Sequence, residues 1–491
     1  MARIAVIGAG MGAMAAAARL AVAGHRVAVY ERTETYGGAL RRRERDGFSF
    51  DTGPGLLTLP AVYRDLFVKT GREPLEERVE LVQVDPSSRH VFADGTEVSL
   101  PNASRAGVVA ALDEALGPGA GRRWGDFLVR AREAWERSRR PLLEEPLWPN
   151  WRVLAEREPY PAVPHKRLLR TRRAGTLAEV GAWELRDPRL AALLESHALA
   201  YGLDPRDTPA SAAVLPYMEH AFGTWYVRGG MRELARAVHE RCAARRVEFR
   251  FGAGVARILE KDGRAAGVEL LDGTVCEADH VVAGVDPHRL ELMTGRPLYG
   301  DGDVRPGPAE HRRPGRFTVL LALRGPRDPG AAHRTVVHAP DRTAELDFLA
   351  GRADAPVRPT VTVLRPDDPA LGPDAEHESA VVSPPCRTAC GGVRAKPASG
   401  SRICWSRPPR PPSPGCGSAS CGARCARPTT TGRRRAPRGG AHRLPLSPPA
   451  GAASSVRPTP PRSPGCHASA AGPTPGAAFR TPACRARWSP G

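Results

Sequence analysis

The chain begins with a strand, a tight glycine turn, a helix and a second strand, in the order of a βαβ unit. The apolar run at residues 4–7 predicts a buried parallel strand. The Ala-rich segment that follows predicts a helix that ends near Ala23, with Gly24 placed to cap it. A second strand is predicted over residues 27–30. Because parallel strands joined by a helix require a sheet covered on its faces, this start predicts an α/β protein.

The turn between the first strand and the helix has the spacing G-x-G-x-x-A, with Gly12 between its last two positions. Gly8 permits the tight turn, Gly10 lets backbone amides approach a pyrophosphate, and Ala13 permits close packing of helix on strand. Glu31 ends the second strand, where a carboxylate can accept the hydroxyls of a ribose. This combination predicts dinucleotide binding rather than an ordinary glycine-rich turn.

Small residues downstream of Glu31 indicate which dinucleotide is bound. A glycine pair lies six residues beyond it, and the segment F-D-T-G-P follows at residues 50–54. The ribityl-flavin half of FAD must run past the second strand, where small residues let the backbone approach it, whereas NAD needs nothing there. We therefore predict FAD rather than two ordinary loops, with further contacts from Arg32, Gly37, Gly38, Asp51, Gly53 and Pro54.

The chain is predicted to return to the same sheet after residue 225. A helix follows the segment Y-V-R-G-G-M, and strands are predicted at 247–251 and 268–271, with the FAD-binding residue Val255 between them. A buried strand near residues 279–285 completes the unit. The predicted division is a discontinuous FAD-binding domain (1–75 and 225–295), a substrate- or membrane-facing α+β domain (76–224 and 296–380), and a tail (381–491).

The tail differs from the rest of the chain in composition. The 113 residues after Glu378 contain no Asp or Glu, 17 Arg, one Lys and 8 of the 10 Cys. Residues 1–378 are nearly neutral, with 54 Lys and Arg against 53 Asp and Glu. We predict that residues after about 380 are disordered or non-native. A genuine Arg-rich tail would favour a nucleic-acid partner, but the body gives no such indication and none is expected.

Several segments together resemble the FAD-dependent carotenoid (phytoene-type) desaturases and isomerases, a branch of the amine-oxidase-like flavoproteins. They are I-G-A-G-M-G-A, F-D-T-G-P, D-P-R-L-A-A-L-L, Y-G-L-D-P-R-D-T-P-A, L-P-Y-M-E and W-Y-V-R-G-G-M. The resemblance implies a two-dinucleotide-binding-domain flavoprotein with an inserted substrate domain. It also implies that a hydride leaves an allylic carbon of a polyene for flavin N5, in carotenoid biosynthesis, while a proton is lost. No catalytic residue and no metal site is assigned.

The family motif H-P-G-G-G-x-P, which contacts the flavin near the carboxyl terminus, does not occur in this chain. If the DNA is read one base earlier, Thr474 becomes compatible with His, Pro475 with Pro, and Gly476, Ala477 and Ala478 each with Gly. The same reading continues as L-P-H-A-G-M-S-G. We interpret the tail as the product of a frameshift between about Glu378 and Cys386. We expect the chain as written to bind FAD weakly or not at all.

The expected partner is an apolar polyene, and the expected location is the cytoplasm. Trp135, Trp148 and Trp151 stand among many arginines. This mixture fits either peripheral contact with the inner face of the membrane or a solvated surface with a few buried rings. Three alternatives to a desaturase remain open: an amine-oxidase-type flavoenzyme on a soluble substrate, an inactive frameshifted remnant, and a nucleic-acid-binding module.

Overall fold

The computed structural model describes residues 1–140, 158–165, 170–296, 314–325, 327–354 and 358–387, with two short strands at 422–423 and 466–468. The strands described, in chain order, are β1 Arg3–Ile7, β2 Arg26–Tyr30, β3 Arg42–Arg45, β4 Phe48–Asp51, β5 Leu81–Gln83, β6 Ser88–Val91, β7 Glu97–Leu100, β8 Val163–His165, β9 Arg170–Arg172, β10 Trp225–Val227, β11 Glu248–Arg250, β12 Val255–Lys261, β13 Arg264–Leu270, β14 Val275–Glu277, β15 His280–Ala283, β16 Pro314–Arg316, β17 Val319–Arg324, β18 Arg334–Val337, β19 Val361–Leu364, β20 His377–Ser383, β21 Pro385–Arg387, β22 Gly422–Ala423 and β23 Cys466–Ala468. The α-helices described are α1 Met11–Val22, α2 Pro60–Gly71, α3 Arg105–Leu116, α4 Ala120–Arg139, α5 Leu177–Val180, α6 Pro188–Ala200, α7 Val214–Phe222, α8 Met231–Ala244, α9 Pro287–Thr294 and α10 Arg342–Leu349.

A parallel sheet in the order β11-β2-β1-β15-β23 holds the amino-terminal motif. The central strand β1 is buried because both its neighbours pair with it in parallel and helices cover the sheet. Met14 of α1 and Leu234 of α8 are fully buried in the same cluster as Val6 and Val29. The predicted α/β class, the βαβ start and the returning strand near residue 280 are confirmed.

A second, seven-stranded sheet has the order β22-β17-β20-β19-β18-β6-β7 and mixes antiparallel pairs with one parallel pair, β18 and β6. A helical layer built from α3 to α7 packs beside it around Leu112, Phe127, Tyr160 and Leu190, each of which is fully buried. This part of the molecule has the α+β character predicted for it.

Some predicted elements differ from the structure. Helix α2 begins only at Pro60, because Leu57 exchanges backbone hydrogen bonds of 2.8 Å with Trp225 and is held extended. Strand β12, which begins at Val255, was not predicted; it pairs with β13 through a tight turn at Asp262 and Gly263. The division into domains stays a prediction.

Only parts of the predicted tail fall within the described residues. Residues 381–387 complete β20 and form β21, β22 pairs with β17, and β23 pairs in parallel with β15. The predicted disorder of the rest of 381–491 lies outside the described residues, and the predicted frameshift stays a prediction.

The Trp/Arg-rich region is described only in part. Trp135 packs against Tyr217 and Phe222, while Arg137 and Arg139 pair with carboxylates of their own helix. Trp148 and Trp151 lie outside the described residues. None of the helices in the described part of the chain combines the length and the apolar character that a membrane span needs.

Candidate functional site

The turn after β1 is wedged between the ends of its two neighbouring strands. Gly8 has a φ of +89°, and its N–H donates to the carbonyl of Tyr30 at 2.8 Å. A Cβ on Gly8 would lie 3.1 Å from the carbonyl oxygen of Gly284, at the end of β15. Ala13 packs closely on Gly284, so that a Cβ built on Gly284 would lie 2.6 Å from the Cβ of Ala13. The positive φ and the close Gly284 carbonyl therefore favour glycine at position 8, and the Ala13 contact leaves no room for a side chain at position 284.

The amino terminus of α1 faces open space. Gly10 is its N-cap, no side chain caps its amides, and no acidic residue stands in its first turn, which contains Gly12. A Cβ built on Gly10 meets no atom within 4 Å. The free amides of a helix start carry partial positive charge, so this space suits an anionic group such as a pyrophosphate.

Glu31 is buried beside this turn, with 7% of its surface exposed. Its Oε2 accepts the Ala9 N–H at 2.8 Å, and its Oε1 accepts the N–H and the hydroxyl of Thr33 at 2.9 and 2.8 Å. These bonds orient the carboxylate; Oε1 accepts two of them and Oε2 accepts one, so one lone pair of Oε2 remains for a ribose hydroxyl. Thr33 was not predicted as part of the site.

The glycine pair at 37 and 38 lies directly on the first turn. The Gly37 N–H donates to the Ala9 carbonyl at 2.8 Å, and a Cβ on Gly38 would lie 2.9 Å from the Cα of Gly10. Arg232 of α8, which was not predicted, fixes this loop. Its guanidinium donates to the Leu40 carbonyl at 3.2 Å and to the Tyr36 carbonyl.

Asp51 lies at the start of α8 rather than at the turn. Its Oδ2 accepts the Met231 N–H at 2.7 Å, and a Cβ on Gly230, whose φ is +92°, would lie 2.8 Å from the same oxygen. Burial raises the pKa of Asp51 to about 6, although the nearby Met231 amide and Arg42 act in the opposite direction. The structure therefore gives the Asp51 carboxylate a helix-capping role, and its contact with FAD stays a prediction.

The remaining predicted residues continue around the same side of the sheet. A Cβ on Gly53 would lie 1.9 Å from the Ala39 carbonyl oxygen, so the loop before the half-buried Pro54 passes flush against the glycine-pair loop. Arg32 is exposed, and its Cβ lies 3.4 Å from the position of a Cβ on Gly254. The Val255 side chain is buried in the core, so only its backbone can contact a ligand.

A polar layer lies between the second sheet and its helices, and sequence patterns did not indicate it. Arg334 of β18 donates to Glu219 of α7, with 2.9 Å between Nη1 and Oε1. His90 Nδ1 and His338 Nε2 are 3.0 Å apart, and burial lowers the pKa of His338 to about 4. His197 bonds the Leu193 carbonyl, four residues earlier in α6, through Nδ1 at 3.0 Å.

These contacts bring the turn, Glu31 and the glycine pair into one site, with the Asp51 cap beside the helix that fixes the pair. The site offers an anion cradle, a buried carboxylate acceptor and a floor without side chains. Such an arrangement can bind an extended dinucleotide. Across the described residues there is no cluster of three or more His, Cys, Asp or Glu side chains able to hold a metal ion.

Comparison with known proteins gives a consistent result. Residues 14–311 match the family model described as flavin containing amine oxidoreductase. The chain is 32% identical over 284 residues to the 4,4'-diapolycopene oxygenase of Methylomonas sp., a match that covers 58% of this chain and 56% of that protein. It is 30% identical over 397 residues to the zeta-carotene-forming phytoene desaturase of Myxococcus xanthus, covering 78% of this chain and 72% of the relative.

The fold is also found among solved structures. An oxidoreductase from Methanosarcina mazei superposes with a TM-score of 0.53 at 17% identity, over 77% of this chain and 78% of the other. At that identity the likeness shows the fold alone.

Proposed function

Because this chain belongs to the flavin containing amine oxidoreductase family, we propose that it is an FAD-dependent oxidoreductase that dehydrogenates a carotenoid-type polyene. The proposal rests on one observation above all: the uncapped start of α1 faces open space at Gly10, beside the oriented carboxylate of Glu31. The names of the relatives, a phytoene desaturase and a diapolycopene oxygenase, support the choice of a polyene substrate.

The residues present fit FAD. The amides at the start of α1 would hold the pyrophosphate, and Glu31 would accept the ribose hydroxyls. The floor formed by Gly37, Gly38 and Gly53 would let the ribityl-flavin half run along the backbone, while Arg32 and the Val255 backbone would flank the adenosine. When bound, the flavin supplies the acceptor for a hydride.

This chain's own contribution to the chemistry is to bind and orient an apolar substrate and to exclude water. Leu364 of β19, Val381 of β20 and Leu320 of β17 lie opposite one another across three strands and are half-buried. A Cβ on Gly55, just beyond the predicted FAD-contacting Pro54, would lie 2.8 Å from Leu364 Cδ1. This apolar row, Leu320–Val381–Leu364, therefore lies next to the FAD motif, where a polyene would be oxidised.

The decisive experiment combines flavin binding with product mass. The product of the gene read one base earlier from a point between codons 378 and 386, supplied with FAD and a polyene in liposomes, is expected to yield a product two hydrogens lighter than the substrate. A product that has gained oxygen would contradict dehydrogenation and favour the reaction named for the Methylomonas relative. Turnover of a soluble amine in place of a polyene would contradict the substrate class.

We also propose that the predicted tail is out of frame and weakens FAD binding. Two proteins should be compared: the chain as written, and the product of the same gene read one base earlier from a point between codons 378 and 386. The second is expected to hold flavin stoichiometrically, and the first is expected to purify almost colourless. A stoichiometric flavin spectrum from the chain as written would refute this proposal.

Peripheral contact with the cytoplasmic face of the membrane is the third part of the proposal. Trp135 packs on Phe222 with ring centroids 5.8 Å apart, and Phe222 is 37% exposed. Aromatic rings beside arginines favour the interface of a bilayer. Liposome flotation is expected to recover the protein with the lipid, and Phe222→Ser is expected to lower the recovered fraction. Equal flotation of both proteins would argue against this surface.

A further inference from the structure

A small cavity lies between α6 and the seven-stranded sheet. Its volume is about 20 Å³, and its lining includes four hydroxyl side chains and one guanidinium, with apolar groups between them. The polar residues are Ser196, Thr360, Thr362, Ser383 and Arg316. A space of this size accommodates about one water molecule, or one oxygen-bearing group of a ligand.

Two of the four hydroxyls are already used by the protein. Ser196 donates to the Leu193 carbonyl at 2.7 Å, and Thr360 donates to Glu345 Oε2 at 2.7 Å. In the described part of the chain, the hydroxyls of Thr362 and Ser383 have no hydrogen-bond partner. These two residues lie directly opposite each other on β19 and β20, so their side chains project from the same face of the sheet.

The same face carries the apolar row next to the FAD motif. Thr362 is two residues from Leu364 along β19, and Ser383 is two residues from Val381 along β20. Because side chains two apart in a strand share a face, the hydroxyl pair follows the apolar row at a distance of about 7 Å. Away from Gly55, the face therefore changes from apolar to hydrogen-bonding.

We infer that this cavity binds an oxygen atom of the substrate, and hence that the preferred substrate is a polyene carrying a hydroxyl or carbonyl group. This inference rests on the proposed function. Thr362 and Ser383 can each donate to such an oxygen, whereas a pure hydrocarbon leaves these two hydroxyls unpaired. The Arg316 guanidinium already donates to the Ala200 carbonyl, and its remaining N–H groups can donate to the same oxygen.

The inference is tested by binding two probes to the full-length protein in detergent with excess FAD. One probe is an acyclic polyene alcohol, and the other is the hydrocarbon with the same conjugated length; quenching of tryptophan fluorescence reports binding. The alcohol is expected to bind about tenfold more tightly, the ratio that corresponds to one hydrogen bond. Thr362→Val, which preserves shape, is expected to abolish most of this preference, and Ser383→Ala to reduce it.

Thr335→Val is the matched control. Thr335 is half-buried in β18, one residue before Val336 of the cavity lining, so it projects from the opposite face. This variant is expected to keep the tenfold preference. Equal binding of alcohol and hydrocarbon by the unaltered protein, or an equal loss of preference in Thr335→Val, would overturn the inference while leaving polyene binding intact. Binding of neither probe would overturn the proposed function, and the inference with it.

Discussion

The helices α1 and α8 both begin after a glycine and both have a buried acidic residue near their first turn, but they use these acids differently. At α8 the Asp51 carboxylate accepts the Met231 N–H at 2.7 Å, in the space where a Cβ on Gly230 would stand. At α1 the Glu31 carboxylate accepts the N–H of Ala9, which precedes the helix, and the space at Gly10 stays open.

The difference identifies which helix start can receive an external anion. A carboxylate at the start of α8 already satisfies its amides and supplies negative charge, so a second anion would be repelled. The amides of α1 have no such partner, and the neighbouring Glu31 carboxylate accepts from Ala9 and Thr33 instead. One helix start is thus completed within the protein, and the other is available to a ligand.

Filling the two glycine positions should separate the two roles most strongly. Gly10→Val places methyl groups in open space, so the unfolding temperature of the FAD-free protein is expected to change little. FAD affinity is expected to fall at least about 1,000-fold, or about 4.1 kcal/mol, because the pyrophosphate space is filled. Titration of FAD into the frame-restored protein, with thermal unfolding alongside, measures both quantities.

Gly230→Val is the matched control for that prediction. Gly230 has a φ of +92°, and its Cβ would lie 2.8 Å from Asp51 Oδ2, so this variant is expected to lose stability. The comparison between the two helix starts would be contradicted if Gly10→Val unfolded the protein while Gly230→Val left its stability unchanged.

Asp51→Asn tests the charge at α8 through pH. Burial disfavours the charged form and raises the pKa of Asp51 to about 6 in the folded protein, from an ordinary value of 3.8. Between these values the folded state binds more protons than the unfolded state, so rising pH lowers stability, by about 3 kcal/mol for this group over the whole window. That loss is nearly complete at about pH 7, one unit above the folded-state pKa.

Asparagine keeps an oxygen acceptor for the Met231 N–H but does not titrate. Relative to the unaltered protein, Asp51→Asn is therefore expected to gain stability as the pH is raised from 4 to 7. Denaturant titrations of both proteins at pH 4 and pH 7 isolate the contribution of Asp51. The other carboxyls contribute equally to the pH dependence of the unfolding free energy in both proteins, so their contribution cancels when the two are compared. An identical pH dependence in the two proteins would show that Asp51 is not charged and buried as described.

The sequence predicts the α1 site well because its parts are close together in the chain. The turn, the helix and Glu31 lie within residues 4–31 and show the βαβ pattern directly. The cap of α8 joins residues 180 positions apart, and Arg232 reaches Leu40 across 192 positions. No local periodicity encodes such contacts, although the motif R-G-G-M correctly marked the start of α8.

The second sheet was less predictable for a related physical reason. Its strands come from distant segments, and β6 pairs with β18 more than 240 residues later. Burial of His90, Glu219 and Arg334 depends on that pairing, and such residues usually indicate surface in a sequence. The missed strand β12 did carry a local signal, because Asp262 and Gly263 form the kind of two-residue turn that joins hairpins.

Glu31→Gln tests the acidic residue that lies beside the start of α1 without capping it, and its expected effect is the smallest. Glutamine offers one oxygen and one NH2 where the carboxylate now accepts from the Ala9 N–H and from the N–H and hydroxyl of Thr33. Either orientation therefore sets the NH2 group against a donor and leaves one fewer acceptor for a ribose hydroxyl. We expect FAD affinity to fall about tenfold, or about 1.4 kcal/mol, since one charge-assisted hydrogen bond is weakened.

Pyrophosphate alone, used as a competitor of FAD, is expected to bind the variant as it binds the unaltered protein, because Glu31 stands beside the helix start and does not fill it. If glutamine at this position strengthened pyrophosphate binding markedly, the carboxylate would be acting on the anion space after all, and the two helix starts would differ less than the structure indicates.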